Sequence, residues 1–314
     1  MMTIMFHKPV MLSEAIDSLE IKENGIYVDL TFGGGGHSKE ILKRINDDGR
    51  LIAFDQDKSA IKNKIDDNRV MLLKQNFIYL EQNLKYLKIS KVDGILADLG
   101  VSSFQFDSID RGFSYENDSI LDMRMNQESS IDAMEILNNY CEADLANIFF
   151  NYSDLTNSRK IAKSIVEKRK TKKIKSSNNL NEILSEFINP GYENKFLARV
   201  YQAIRIEVNQ EIKNLKKLLN QLPNLLNQNG LVSIITYHSV EDRLVKRFFK
   251  NNCFENEPVK DDFGNKILSI KPKYNFIKPS ELEIKNNPRA RSAKLRTAVK
   301  LWQIKLLTYC WENS

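Results

Sequence analysis

Four consecutive glycines, Gly33 to Gly36, constrain this chain more than any other stretch. They follow Gly25-Ile-Tyr-Val-Asp-Leu, a short β-branched and apolar run that carries an acid at Asp29. They precede Ser38-Lys-Glu-Ile-Leu-Lys-Arg-Ile, in which Ile41, Leu42 and Ile45 recur at helical spacing. Strand, glycines, then helix is the order of a turn where backbone can approach a ligand closely, because no Cβ intervenes. A second strand, Arg50-Leu-Ile-Ala-Phe, ends in Asp55. An acid at that point of a βαβ unit suits the two hydroxyls of an adenosine ribose. A tight structural turn is the bland alternative; Asp55 in register favours a nucleotide-like ligand.

The alternation continues through the first hundred residues. Strands are expected at Gly25–Leu30, Arg50–Phe54, Val70–Lys74 and Val92–Ala97, with helices beginning near Ser38, Lys58 and Phe77. Such alternation implies an α/β fold with a parallel, doubly wound sheet, whose ligands bind beyond the carboxyl ends of the strands. Gly33–His37, Asp55 and Asp98 all fall there. After Gly100 the pattern breaks into an irregular stretch and then helical runs without strands: Ile131–Tyr140, Glu142–Phe150, Arg159–Lys170 and Leu180–Ile188. We read residues 106–204 as a helical insertion between two parts of a sheet domain, 1–105 and 205–314. A long helix, Ala203–Leu222, is expected to end at Pro223. The strand Gly230–His238 and the amphipathic helix from Ser239 follow, with Ser239 as N-cap and Asp242 at the capping-box position. Lys266–Lys271 and Leu295–Trp302 could pair as an edge hairpin, making seven strands.

Charge is clustered. Arg159 to Lys175 carries a net +8 and Lys285 to Lys300 a net +6, so the rest of a chain of net charge +6 carries −8. Within these segments Lys168, Arg169, Lys170, Lys172 and Lys173, and Arg289, Arg291 and Arg296 with Lys294, are candidate phosphate contacts, which favours a polyanionic partner over solvated faces or sheet-edge protection. Cys141, Cys253 and Cys310 are far apart and form no CxxC, which fits a reducing cytoplasm. Neither a signal peptide nor a membrane span is expected. His7, His37 and His238 are widely spaced, and no metal site is expected. His238, at a strand end, suits a substrate-side role or a structural hydrogen bond equally.

The glycine motif departs from a dinucleotide fingerprint, since Ser38 stands at the third glycine place. Asp29, Thr31, Gly33 and Gly35 instead follow the rhythm of S-adenosylmethionine sites, an acid and then small residues at alternate positions. Asp98, after Asp93-Gly-Ile-Leu-Ala, sits where amino-methyltransferases place a short polar loop beside the sulfonium. An exocyclic base amine is a weak nucleophile, and a carboxylate accepting its hydrogen bond aligns the nitrogen and takes up developing charge. Contact with cofactor rather than amine is the alternative. A nicotinamide oxidoreductase and a non-catalytic RNA-binding protein are the competing classes.

Beyond these readings, a set of motifs carries a resemblance. They are His7-Lys-Pro-Val-Met-Leu, Asp29–Ser38, Asp93–Gln105 with its Asp-Leu-Gly-Val-Ser-Ser, Arg111-Gly-Phe-Ser, Leu121-Asp-Met-Arg-Met, Tyr201-Gln-Ala-Ile-Arg-Ile-Glu-Val-Asn, His238-Ser-Val-Glu-Asp-Arg-Leu-Val-Lys and Asn287-Pro-Arg-Ala-Arg-Ser. In order and over nearly the whole chain, this set resembles the RsmH (MraW) family of bacterial small-subunit ribosomal RNA cytosine-N4 methyltransferases. The resemblance implies a Rossmann-like, seven-stranded class I methyltransferase sheet with an inserted all-helical substrate-recognition domain. It implies transfer from S-adenosylmethionine to N4 of a single decoding-centre (P-site) cytidine of 16S rRNA in the small ribosomal subunit. Carried over by motif, the cofactor contacts are Gly35, Gly36, His37, Asp55, Phe77, Asp98 and Gln105, with Asp98 and Gln105 lining the transfer pocket. Two features depart from the family: Gly34, where relatives often carry a larger or charged residue, and the less familiar segment 251–280.

Overall fold

The computed structural model describes residues 9–302 apart from residue 256; His7 and Cys310 lie outside the described residues. In chain order the elements are α1 (Leu12–Asp17), β1 (Ile26–Asp29), α2 (Gly36–Arg44), β2 (Arg50–Asp55), α3 (Lys58–Ile61), β3 (Val70–Lys74), α4 (Leu80–Tyr86), β4 (Val92–Asp98) and α5 (Ser103–Asp107). A helical stretch follows with α6 (Ala133–Asn139), α7 (Glu142–Ser153), α8 (Ser158–Arg169), α9 (Ser177–Leu184) and α10 (Glu193–Val208). The chain then returns to the sheet through α11 (Glu211–Leu225), β5 (Leu226–Thr236), α12 (Ser239–Asn251), β6 (Ile270–Pro272), α13 (Glu281–Asn286) and β7 (Lys294–Lys300).

The seven strands form one sheet in the order β3-β2-β1-β4-β5-β7-β6. The first five run parallel, whereas β7 is antiparallel to both β5 and β6. Strand order reverses between β1 and β4, and a crevice opens at such a point beyond the carboxyl ends of the strands. The central strands are apolar on both faces, as a parallel sheet covered on both sides requires. Their period of two divides each run between two cores. Val28, Ile52, Ile95 and Ile234 pack toward α4, α11 and α12, while Tyr27, Leu51, Leu96 and Ile235 pack toward α1 and α2. No described helix is long and apolar enough to cross a membrane.

The helices between β4 and β5 have their own apolar centre, which includes Leu121, Met123, Phe149, Ile161, Leu180, Tyr201 and Ile204. Several expectations need correction. The single long helix Ala203–Leu222 is two helices, α10 and α11, broken where Gln210 takes a left-handed φ of 52°. Pro223 lies inside α11 rather than ending it. A domain boundary at 204/205 would cut α10, whose Val208 still packs in the helical core. The edge strand expected at Lys266–Lys271 is β6, Ile270–Pro272, because Asn252 Oδ1 accepts from the backbone N–H groups of Ser269 and Ile270 there.

Candidate active site

The glycine loop fills the end of β1. Asp29 is buried, its Oδ2 accepting from Ser38 Oγ at 2.6 Å and its Oδ1 from Thr31 N at 3.1 Å. Ser38 therefore occupies the third glycine place as a buried donor to Asp29. Burial pushes the Asp29 carboxyl above its ordinary value. Gly35, the N-cap of α2, has φ 74°, and a Cβ there would meet Phe32 Cζ at 2.8 Å; one on Gly36 would lie 2.0 Å from Pro9 Cγ. At Gly34 an added Cβ would meet nothing within 4 Å, so the loop is packed behind and open in front. Asp55 Oδ2 accepts from Gly33 N and Oδ1 from Asp57 N, both at 2.8 Å. Burial pushes Asp55 up to about 6. A half-buried carboxylate beside an open backbone loop fits the ribose of S-adenosylmethionine, whose hydroxyls would favour its charged form.

Asp98 ends β4 across the switch point. Its N–H donates to Thr31 Oγ1 at 2.7 Å, which ties the β4 end to the glycine loop. The Tyr237 hydroxyl donates to Asp98 Oδ1 at 2.7 Å. Burial drives Asp98 up to about 6, against the opposing influence of His37 and the Tyr237 bond, while Asp29 and Glu241 add to the rise. The same carboxylate, after burial, raises the Tyr237 phenol well above its usual range. Tyr237 escaped the sequence reading; its position before His238 was the available signal. Removing its hydroxyl should lift Asp98 further. The acid limb of kcat/KM, with its midpoint near pH 6, should therefore shift to higher pH in Tyr237→Phe. An unmoved limb in a pH–rate profile would separate the hydroxyl from the chemistry.

His37 is buried, with Nε2 3.1 Å from the Val10 carbonyl, so that nitrogen carries its proton. Phe77 is half-buried in a helical turn after β3, partly packed on the sheet core. Its N-cap, Asn76, donates to Gln56 Oε1 at 2.7 Å. Gln105 is buried: its Nε2 donates to Asp57 Oδ2 at 2.7 Å and its Oε1 accepts from Ser102 N at 2.9 Å. One N–H and one lone pair of the carboxamide are engaged within the protein, which fixes its orientation at the start of α5. Arg111 Nη2 reaches the same Asp57 oxygen at 2.9 Å and also bonds the carbonyls of Arg124 and Met125. Asn209 closes the group, accepting from Met125 N and donating to the Met123 carbonyl. Two motifs separated in the chain thus meet at Asp57, which sequence reasoning missed, and Arg111 links them to the Leu121–Met125 and Tyr201–Asn209 motifs.

His238, not Ser239, is the N-cap of α12, its Nδ1 3.4 Å from Glu241 N and its Nε2 3.2 Å from Glu241 Oε1. Nδ1 serves as the cap, whereas the buried Nε2 makes no hydrogen bond among the described residues, so His238 holds one structural bond and keeps one ring nitrogen without a hydrogen-bond partner. Glu211, His238 and Glu241 bring ligand atoms within 4.8 Å of one another, but Arg205 binds both Glu211 oxygens at 2.8 Å. That makes the group an internal charge network. Asp242 is not a capping-box residue; it accepts from Arg296 Nε at 2.6 Å and Lys294 Nζ at 3.0 Å. Arg296, a candidate phosphate contact, is thereby largely buried and neutralised, with its guanidinium 5.1 Å from the Phe276 ring. Arg289 pairs with Asp107, and Arg291 is exposed. On and after α8, Lys168, Lys170, Lys172 and Lys173 are exposed, whereas Arg169 donates to the Leu137 carbonyl at 2.8 Å and braces the helices.

Comparison with known proteins shows the family. The model of the MraW methylase family matches residues 4–301. Ribosomal RNA small subunit methyltransferase H of Christiangramia forsetii is 53% identical over 302 residues, covering 96% of this chain and 100% of that protein. The protein of the same name from Flavobacterium johnsoniae is 50% identical over 299 residues, covering 95% and 99%. That of Bacteroides fragilis is 47% identical over 296 residues, covering 94% and 97%. The chain belongs to the MraW methylase family and is an S-adenosylmethionine-dependent methyltransferase.

Proposed function

We propose that this enzyme methylates N4 of one decoding-centre cytidine of 16S rRNA in the small ribosomal subunit. The observation that carries the reading is Asp98, a carboxylate held by Thr31 and Tyr237 at the end of β4, opposite the open glycine loop. Relatives at about half identity are named as small-subunit ribosomal RNA methyltransferases, which supports the RNA substrate.

Bound S-adenosylmethionine supplies an electrophilic methyl group. The chain's own residues do the rest. Asp55 holds the ribose, while Gly35, Gly36 and His37 form the wall behind the donor. Tyr237 uses Asp98 Oδ1, and Oδ2 has no hydrogen bond among the described residues. That second oxygen would accept a hydrogen from the cytosine amine and fix the nitrogen in line; as the methyl carbon passes from sulfur to nitrogen, a thioether would leave and the surplus amine proton would be held at this oxygen. The base must leave its stack to arrive there. The helices α6 to α10 and the exposed lysines on and after α8 grip the surrounding RNA.

The deciding experiment incubates the protein with labelled donor and undermethylated small subunits, then maps the modified nucleotide. Label on N4 of a single decoding-centre cytidine supports the reading; label elsewhere or none refutes it. Replacing Lys168, Lys170, Lys172 and Lys173 by Gln should also reduce the slope of log K against log salt by roughly 3, at about 0.7–0.9 for each phosphate no longer neutralised. An unchanged slope in filter-binding titrations would return these lysines to a solvated face. Arg169 is left intact because it holds Leu137.

A further inference from the structure

α5 presents its two faces differently. On the inner face Gln105 is 4% exposed and locked to Asp57 and Ser102. On the outer face Phe104 is 59% exposed, one of the larger apolar side chains left in water. Its neighbour Phe106 is half-buried, with the Arg289 guanidinium 4.9 Å from the ring centroid and paired to Asp107. Ile109 is 56% exposed just beyond. Arg291, two residues past Arg289, makes no hydrogen bond or ion pair among the described residues and is exposed. Arg289 over Phe106 thus holds the turn that carries Arg291 against α5, the helix on the segment that follows Asp98.

Exposed charges of both signs border the patch, Arg291 with Asp107 and Asp110, and it is the patch's place on the segment that leaves β4 at Asp98 that makes the RNA substrate its occupant. Single-stranded nucleic acids are bound by aromatic rings on which bases stack, with cations along the backbone. Extruding one nucleotide from its stack also exposes the faces of the bases next to it, and those faces need a new partner.

We propose that Phe104 is the stacking platform for an unpaired RNA base adjoining the target nucleotide, with Arg291 neutralising the neighbouring phosphate. The proposal deepens the RNA reading above and rests on it. Its occupant is single-stranded RNA, and a second copy of the chain is the competing outcome.

The test measures methyl transfer to undermethylated small subunits by the full chain and by Phe104→Ala and Phe104→Trp. Phe104→Ala should raise KM for subunits by about 5- to 100-fold, the range for loss of one stacked base. Affinity for S-adenosylhomocysteine should stay unchanged in calorimetry, which shows that the exposed position does not disturb the fold. Phe104→Trp should keep KM near the parent value, and its added indole emission should be quenched when subunits bind. If Phe104→Ala keeps the parent KM, or the new indole is not quenched, the platform is refuted while RNA methylation stands. A dimer lost in Phe104→Ala at unchanged KM refutes it in favour of self-association. If the parent itself transfers no methyl to RNA, the substrate reading fails and takes the platform with it.

Discussion

Asp98→Asn should lower methyl transfer to small subunits by about 100-fold or more, the usual scale for losing a positioned proton acceptor. The amide retains the volume and can still accept from the Tyr237 hydroxyl, but it cannot take up positive charge from the amine. The same substitution should make the protein more stable at neutral pH. In the folded chain the Asp98 pKa stands near 6 against an ordinary 3.8, so the fold favours the protonated acid. That preference is fully present below about pH 4 and is lost as pH rises through about 6, where ionisation occurs against burial. An uncharged Asn escapes this cost, on the order of 1–2 kcal/mol once the residue's partial exposure is allowed for. Thermal melts of parent and variant should therefore diverge above pH 6 and converge near pH 4. A catalytic residue installed against stability shows this opposition of activity and melting temperature. Near-normal transfer by Asp98→Asn would remove the carboxylate from the mechanism, and a lower melting temperature at pH 7.5 would show that its charge is net stabilising.

The second large effect concerns Arg111. Its side chain is 7% exposed and its partner Asp57 4%, with Asp57 held below its ordinary pKa by Gln105, Ser59 and Arg111 despite burial. Arg111→Met should cost about 3–5 kcal/mol, because it leaves a buried carboxylate without its cation and two carbonyls without their donor. The loss should appear in urea titrations. Activity should fall as well, since Asp57 caps α3 directly after Asp55 and holds Gln105 on α5. The double variant Asp57→Asn/Arg111→Met should recover part of the stability, as removing both charges of a buried pair is milder than removing one. A single-variant cost below about 1 kcal/mol would mean that the pair is effectively solvated.

These two sites differ in how they show in the sequence. Asp98 is visible because it closes an apolar run, and the strand period places a run-ending acid at the ligand edge of a parallel sheet. Asp55 and the glycines are visible for the same local reason. Asp57 and Arg111 are not, because their meaning depends on a contact between residues 54 positions apart. The helix from 203 looked continuous since its apolar spacing runs on. Only the bond pattern of Asn209, which ties the break to Met123 and Met125, shows why the chain turns there. Asp242 satisfied a capping pattern in sequence, yet its carboxylate is taken up by two cations of β7. Arg296 and Arg169 looked like phosphate ligands because charge clusters are counted along the chain, where internal acceptors do not appear.

By itself, the sequence determined the elements whose signal is local: the glycine turn, the alternation of strands and helices, the acids at strand ends and the helical stretch after them. Backbone conformation and periodicity act over a few residues, so they are written in consecutive letters. The tertiary structure alone decided which charged groups are available. Arg296 and Arg169 are engaged by internal partners, while Phe104, Arg291 and the lysines on and after α8 face outward. Desolvation and ion pairing fall off steeply with distance through space, and spatial distance between residues far apart in the chain is set only when the sheet has folded.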